Sequence, residues 1–316
     1  MRLYRSIPQR ADDAIALTIG NFDGVHLGHQ AMVARLIAAA RERGLPAAVM
    51  TFEPHPRELF TPDTAPVRLT PLRDKAEQLA ALGIDRLYVC RFDRAFARQT
   101  AEDFVRDMLA ARLGVRWLLV GDDFRFGAQR RGDLDLLEAM APALGMQIEA
   151  MPSINVAGVR SSSTAIRTAL AEGRIGDARQ LLGRPYSITG RVVGGDRIGR
   201  DLGYPTANVH LAGRRMPLAG IFVVEVHGLG AAAIQGAASL GVRPTVSNAN
   251  RCTLEVFLLD FVRNIYGWRI RVEFLHKLRD EEKYHTLGAL KAQIGRDVAA
   301  TREFFDGPVA TRHDHA

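Results

Sequence analysis

Two histidines three residues apart, His26 and His29, stand in the glycine-rich run GNFDGVHLGHQ (20–30). On a first helical turn such a pair faces the same way, so both imidazoles could donate to one anionic group. Gly20, Gly24 and Gly28 permit close backbone approach, and the unpaired amides of a helix start favour a bound phosphate. The pair could also ligate a metal, but no third ligand stands nearby in the sequence. A second group gathers in RSSSTAIR (160–167), where hydroxyls with Arg160 and Arg167 could hold the β- and γ-phosphates of a nucleotide. One of Ser161, Ser162 and Ser163 is also expected to cap a helix. In GGDRIGRDLGYPTANV (194–209), Pro205 holds Tyr204 extended, and an extended chain puts Thr206 and Asn208 on one side. Two neutral oxygen ligands there suit Mg²⁺ shared with nucleotide phosphates. Glycines 194, 195, 199 and 203 would let a flap lie over those phosphates. In TLEVFLLDF, Glu255 shares a strand face with Phe257 and Leu259. A partly desolvated carboxylate could serve as a general base, and a solvent-facing strand residue fits the pattern equally well.

The elements that must position these residues follow from periodicity. AIALTI (14–19) reads as a strand, HQAMVARLIAAARERG as a helix stopped at Gly44, and AAVMTF as the next strand. The unit is βαβ with a right-handed crossover, which points the helix's free amides at the glycine-rich turn. In TFEPHPRELF, Pro54 and Pro56 place Glu53 and His55 on a stiff loop beyond a strand end, where ligands collect or polar groups are merely solvated. A helix capped by Thr70 ahead of Pro71 and the strand RLYVCRF come next. AEDFVRDMLAARLGV is helical to about Gly114, RWLLVG is a strand leading into GDDFRFGAQRRGD, DLDLLEAMAPALGM is helical, and QIEAMPSINVAGVR holds short strands. From Tyr186 the helical period gives way to YSITGRVV, GIFVVEVHG, AAAIQGAASLG, CTLEVFLLDF and WRIRVEFLHKLR, which indicates an antiparallel sheet or small barrel. EEKYHTLGALKAQIGRDVAATREFF reads as a closing helix, and GPVATRHDHA, with His313 and His315, as a frayed tail.

The 316 residues suffice for two domains, and 47% apolar with 24% charged residues is a globular composition. No run reaches the roughly 18 apolar residues of a membrane span, and MRLYRSIPQR lacks the apolar segment of a secretory signal, so a cytoplasmic protein without a membrane partner is expected. Cys90 and Cys252 lie far apart and in no CxxC pair, which gives no reason for a disulfide or zinc site. The formal charge of +7 suits small polyanions such as ATP as well as nucleic acid. Only four of the 42 basic residues are lysines (75, 277, 283, 291), and the arginines are scattered, as compositional drift would leave them. An RNA-binding barrel would interleave aromatics that are sparse here, so no nucleic-acid partner is expected. Oligomeric state is not indicated.

GNFDGVHLGHQ and RSSSTAIR resemble the two signatures of the HxGH nucleotidyltransferase superfamily. Together with GRDLGYPTAN, LEVFLLDF, YG and RVEFLHKLR they make nearly the whole chain similar to bacterial bifunctional riboflavin kinase/FMN adenylyltransferases, also called FAD synthetases. The resemblance implies a Rossmann-like α/β nucleotidyltransferase domain over 1–183, an antiparallel Greek-key β-barrel riboflavin kinase domain over 184–306 and a flexible tail over 307–316. It implies phosphorylation of riboflavin to FMN and adenylylation of FMN to FAD, with ATP as co-substrate and Mg²⁺. His26 and His29 would bind ATP phosphates and stabilise charge on the α-phosphoryl, with Gly20, Asn21, Phe22, Asp23, Gly24 and Gly28 lining the nucleotide site. Arg160, Ser163, Thr164 and Arg167 would engage the phosphates and leaving pyrophosphate, and Asp123 in GDDFRFG holds a position the family uses towards the flavin, occupied by Asn in some relatives. Gly199, Arg200 and Gly203 belong to the kinase flap, Thr206 and Asn208 match the Mg²⁺ ligands, and Glu255 matches the base for the riboflavin 5′-hydroxyl. FVRNIYG stands where the family pattern is acidic, FDGDLYG, and SNANRC (247–252) is atypical; both could alter flaps over the substrates. A nucleotidyltransferase of single activity would leave PTAN and Glu255 unexplained.

Overall fold

Strands of a parallel sheet are covered on both faces and so read as unbroken apolar runs, as AIALTI and RWLLVG do here. The computed structural model describes residues 1–195, 198–243 and 251–307. Contacts between backbones divide the chain into two units, Met1–Pro66 with Thr70–Ser162, and Val67–Leu69 with Ser163 onward.

In the first unit six strands, β1 (Arg2–Tyr4), β2 (Ile15–Ile19), β3 (Ala47–Glu53), β4 (Arg86–Arg91), β5 (Val115–Gly121) and β6 (Gln147–Met151), form one sheet in the order β1-β4-β3-β2-β5-β6. Every neighbouring pair in it is parallel. One face packs Val33, Leu36, Ala39 and Ala40 of helix α1 (Leu27–Glu42) and Leu79 of α3 (Leu72–Ala81) against Ala16, Val49, Leu87 and Trp117. The other face packs Phe104, Val105, Met108 and Leu109 against Leu17, Met50 and Leu118. Those four belong to α4 (Ala101–Asp103) and its continuation, which winds as a π-helix over Phe104–Arg112. From β2 the chain proceeds outward through β3 to β4, then returns to the other side of β2 for β5 and β6. The loop after β2 therefore lies at the topological switch point, where open α/β sheets bind ligands.

Three local expectations change. Pro56–Phe60 is a short helix, α2, capped by His55, whose Nδ1 accepts from Arg57 N while Glu58 returns a bond to the His55 amide; Glu53 closes β3. The proline that was to enforce a loop instead occupies a first helical turn, where its missing N–H costs nothing. Thr70 does not cap α3, because Pro71 takes that position and the Thr70 amide donates to Asp23 Oδ1 at 3.0 Å. The closing helix begins only after Thr286, whose Oγ1 accepts from Ala289 N; residues 280–286 are non-helical.

After α5 (Leu134–Met140) and the hairpin β7 (Asn155–Val156) and β8 (Val159–Arg160), the second unit begins with α6 (Ser163–Ala171) and α7 (Ile175–Leu182). Its strands β9 (Tyr186–Val193), β10 (Thr206–His210), β11 (Gly220–His227), β12 (Ile234–Arg243), β13 (Arg251–Leu258) and β14 (Arg269–Arg279) close a barrel in the order β10-β13-β12-β11-β14-β9, antiparallel throughout. β14 lies beside β11 rather than β13, the Greek-key return. Between β9 and β10 runs the short α8 (Ile198–Asp201). Helix α9 (Leu287–Asp306) is pinned by Asp297, which accepts both arms of the Arg279 guanidinium at 2.9 and 2.7 Å. The Arg200 side chain, the segment 244–250 of the atypical flap, and the tail with His313 and His315 lie outside the described residues.

Candidate functional sites

The turn after β2 carries the first candidate site. His26 is the N-cap of α1 rather than a member of its first turn, and His29 is the third helical residue. Their rings nevertheless stack, centroids 3.7 Å apart and planes inclined by 24°. The backbone N–H of His29 donates to His26 Nδ1 at 3.4 Å, and Ser161 Oγ lies 3.2 Å from the same nitrogen. An amide N–H can only donate, so Nδ1 is an acceptor and a neutral His26 carries its proton on Nε2. Ser161 Oγ accepts in turn from Gly28 N at 3.3 Å, which leaves its own proton for His26. A Cβ on Gly28 would come within 3.2 Å of the His26 ring and 3.3 Å of the Ser161 carbonyl, so a side chain there would press on both segments.

His29 Nδ1 is buried and has no hydrogen-bond partner. Burial, then the neighbouring His26, then Lys75 hold the His29 imidazole well below its ordinary pKa. His29 is thus neutral near pH 7 and presents one N–H and one lone pair. Among the described residues nothing bonds its Nδ1. Buried Asp23 accepts from Thr70 N, and Phe22 and Val25 take left-handed φ values of 47° and 43°. Asn21 Oδ1 is a second buried atom without a partner.

The remaining first-unit residues fall differently. Arg160 and Asp123, one expected towards phosphate and the other towards flavin, pair with each other at 2.6 Å and are both exposed; the bond to Asp123 raises the Arg160 pKa. Ser163 and Thr164 open α6, and Arg167 Nε donates to the Val67 carbonyl at 2.6 Å, all within the second unit. A cavity of about 670 Å³ lined by Arg5, Cys90, Arg91, Phe96 and Arg112 lies away from the histidines. Burial pushes the Cys90 thiol up to about 12, which leaves it inert as a nucleophile.

The second candidate site is on the barrel. Asn208 pairs directly with Glu255 across β10 and β13, and Thr206 stands on the same side two residues earlier. Thr206 Oγ1 donates to Glu255 Oε2 at 3.2 Å. Glu255 is half-buried between Leu254 and Val256, which point into the barrel. A Cβ on Gly195 would overlap the Asn208 amide, and one on Gly199 would reach within 3.3 Å of Thr206 Oγ1. Gly195 and Gly199 therefore lie directly against the Asn208 and Thr206 side chains. A hydroxyl, an amide oxygen and a carboxylate on one patch under a glycine cover form a hard donor set that fits Mg²⁺. Gly203 has a left-handed φ of 91° at the turn into β10. Among the described residues the one cluster of three metal-ligating side chains is elsewhere, Glu225, His227 and Glu273, and Arg271 already bonds Glu273 there.

Lys75 is unread in the sequence, and Ser161 stands there only among the RSSSTAIR hydroxyls as a phosphate or cap candidate, not as a partner of His26. Lys75 did carry a signal, because it is the only lysine before residue 277.

A family model for FAD synthetase matches residues 8–165, and one for riboflavin kinase matches 182–305. The bifunctional riboflavin kinase/FMN adenylyltransferase of Escherichia coli (strain K12) is 48% identical over 308 residues, covering 96% of this chain and 98% of its own. That of Haemophilus influenzae is 43% identical over 308 residues, covering 97% and 100%. A crystal structure described as a macrolide-efflux protein from Streptococcus pneumoniae shares the fold with a TM-score of 0.80 at 29% identity, covering 94% of this chain and 98% of that one. Among the described residues no helix is long and apolar enough to cross a membrane. On these matches, the chain belongs to the bifunctional riboflavin kinase/FMN adenylyltransferase family.

Proposed function

We propose that the chain makes FMN and then FAD, phosphorylating riboflavin in a module spanning 184–306 and adenylylating FMN in one spanning 1–183, in the cytoplasm. One observation carries this: a single chain holds both a stacked histidine pair at a helix N-terminus and a Thr-Asn-Glu patch beneath a glycine cover.

In the adenylylation, an FMN phosphate oxygen attacks the α-phosphorus of ATP, the α–β bridging bond breaks, and pyrophosphate leaves. No proton need move at the reacting atoms, so placement and charge compensation do the work. His26 Nε2–H and the His29 imidazole bond the ATP phosphates, with the positive end of the α1 dipole behind them. Gly20, Asn21, Phe22, Asp23, Gly24 and Gly28 line the nucleotide. Arg160, Ser163, Thr164 and Arg167 bind phosphates and the departing pyrophosphate, with Asp123 released from Arg160 to face the flavin.

In the phosphorylation, the riboflavin 5′-hydroxyl attacks the γ-phosphorus, its proton passes to Glu255, and ADP leaves. Thr206 and Asn208 would hold Mg²⁺, which when bound compensates phosphate charge. Gly199, Arg200 and Gly203 form the flap over the nucleotide.

Incubation with riboflavin, ATP and Mg²⁺, followed by chromatography of the flavins, tests the reading. FMN should appear first and FAD after it. No conversion, or FAD only from an impurity present before ATP is added, refutes it.

A further inference from the structure

We infer that Lys75 is a positioning residue of the adenylylation site, its ammonium fixing the GNFDGVH turn by donating to the Asn21 carbonyl and the Thr51 hydroxyl. The inference rests on the function proposed above for the first unit. Lys75 lies on α3 and is only 6% exposed. Its Nζ is 2.6 Å from Asn21 O and 3.3 Å from Thr51 Oγ1, and Thr51 Oγ1 itself donates to Asn21 O at 3.1 Å. The Asn21 carbonyl thus receives two donors, one of them charged. A charge-assisted bond is roughly twice as strong as a neutral one.

The receiving turn needs such a clamp. Phe22 and Val25 hold left-handed conformations, which cost of order 1–3 kcal/mol each and persist only where the surroundings over-determine them. Asp23, bonded to Thr70 N, and the buried Phe22 ring hold the turn from other directions. What this turn orients is the start of α1, with His26 as its cap and His29 in its first turn. Burying an ammonium is expensive, and a residue serving stability alone would be better apolar.

Composition points the same way. Of the 42 basic residues 38 are arginines, yet this position holds the only lysine before residue 277. A carbonyl and a hydroxyl in a closed space suit a compact ammonium with three rotatable donors, whereas a planar guanidinium fork does not fit them. The same charge also helps keep His29 neutral.

The test is kinetic, on the full-length chain, with Lys75→Met, Lys75→Gln and Lys75→Arg. FAD formation from added FMN and FMN formation from riboflavin are measured separately, and folding of the first unit is followed by the near-ultraviolet signal of buried Trp117. Lys75→Met should lower kcat for FMN adenylylation by about 10- to 100-fold, the scale of an ångström-sized misplacement, with a much smaller change in the KM for ATP and no change in riboflavin phosphorylation. Lys75→Gln, which retains a donor, should recover part of the loss, and Lys75→Arg should not. Unchanged kcat in Lys75→Met, or a loss confined to KM, overturns the inference. If Lys75→Met fails to fold, Lys75→Gln decides: a lowered kcat for FMN adenylylation with riboflavin phosphorylation unchanged supports the clamp, and an unchanged kcat in folded protein overturns it. Absence of FAD formation by the unaltered chain would instead refute the function on which the inference rests.

Discussion

Replacing Ser161 with alanine removes one buried hydroxyl that serves two partners, Gly28 N at 3.3 Å and His26 Nδ1 at 3.2 Å. Loss of a side-chain acceptor for a helix's first amides costs typically ~1 kcal/mol, and a neutral hydrogen bond contributes about 1 kcal/mol net. Unit stability should therefore fall by roughly 1–2 kcal/mol, which leaves a domain of ordinary stability folded. The effect on rate is bounded by what remains. His29 N–H still donates to His26 Nδ1, so the tautomer with Nε2–H survives, and only the ring's orientation is loosened. If that loosening costs about 1 kcal/mol in the transition state, kcat/KM for FMN adenylylation falls about five- to tenfold. FAD formation from FMN and ATP, followed by fluorescence or chromatography, gives the rate, with riboflavin phosphorylation by the same preparation as the control. An unchanged kcat/KM would refute the assignment of Ser161 as the group that orients His26. A fall of about a thousandfold would show instead that Ser161 meets the substrate directly.

Other substitutions separate the two sites. His29→Ala should abolish FAD formation while sparing FMN formation, and Glu255→Ala should stop riboflavin phosphorylation while added FMN is still converted to FAD; loss of both activities from either change, in folded protein, contradicts separate sites. Gly195→Ala drives a methyl group into the Asn208 amide and should raise the KM for Mg–ATP in the kinase reaction alone. His29 has a native pKa well below the unfolded value of about 6.5, so the unfolded chain binds more protons beneath that pH and stability falls as pH drops, by at most about 1.4 kcal/mol per unit. Urea unfolding at about pH 7.5 and pH 5.5 should show this slope, and His29→Gln should flatten it; an equal slope in both proteins contradicts a neutral buried His29. Chelation of divalent cations should halt riboflavin phosphorylation, which added Mg²⁺ restores.

Local periodicity and motif spacing already separate an α/β half from a strand-rich half and mark where chemistry gathers. Unbroken apolar strands alternating with amphipathic helices indicate a covered parallel sheet, and short strands without helices an antiparallel sheet or small barrel, between which the resemblance chose. GNFDGVHLGHQ therefore had to be a turn at a strand exit, and the spacing of Thr206 and Asn208 on β10 had to give one face. Both follow from period and backbone chemistry, which are local. Tertiary structure decided what meets those residues. No local rule says that His26 caps α1 instead of joining it, that Ser161, 135 residues away, completes that cap, or that Asp123 and Arg160 pair with each other. Lys75 shows the division most plainly. Its position on α3 is legible from helical period, but its burial against Asn21 and Thr51 exists only because α3 and the sheet pack together, and a desolvated ammonium is worth placing only where a turn must be held.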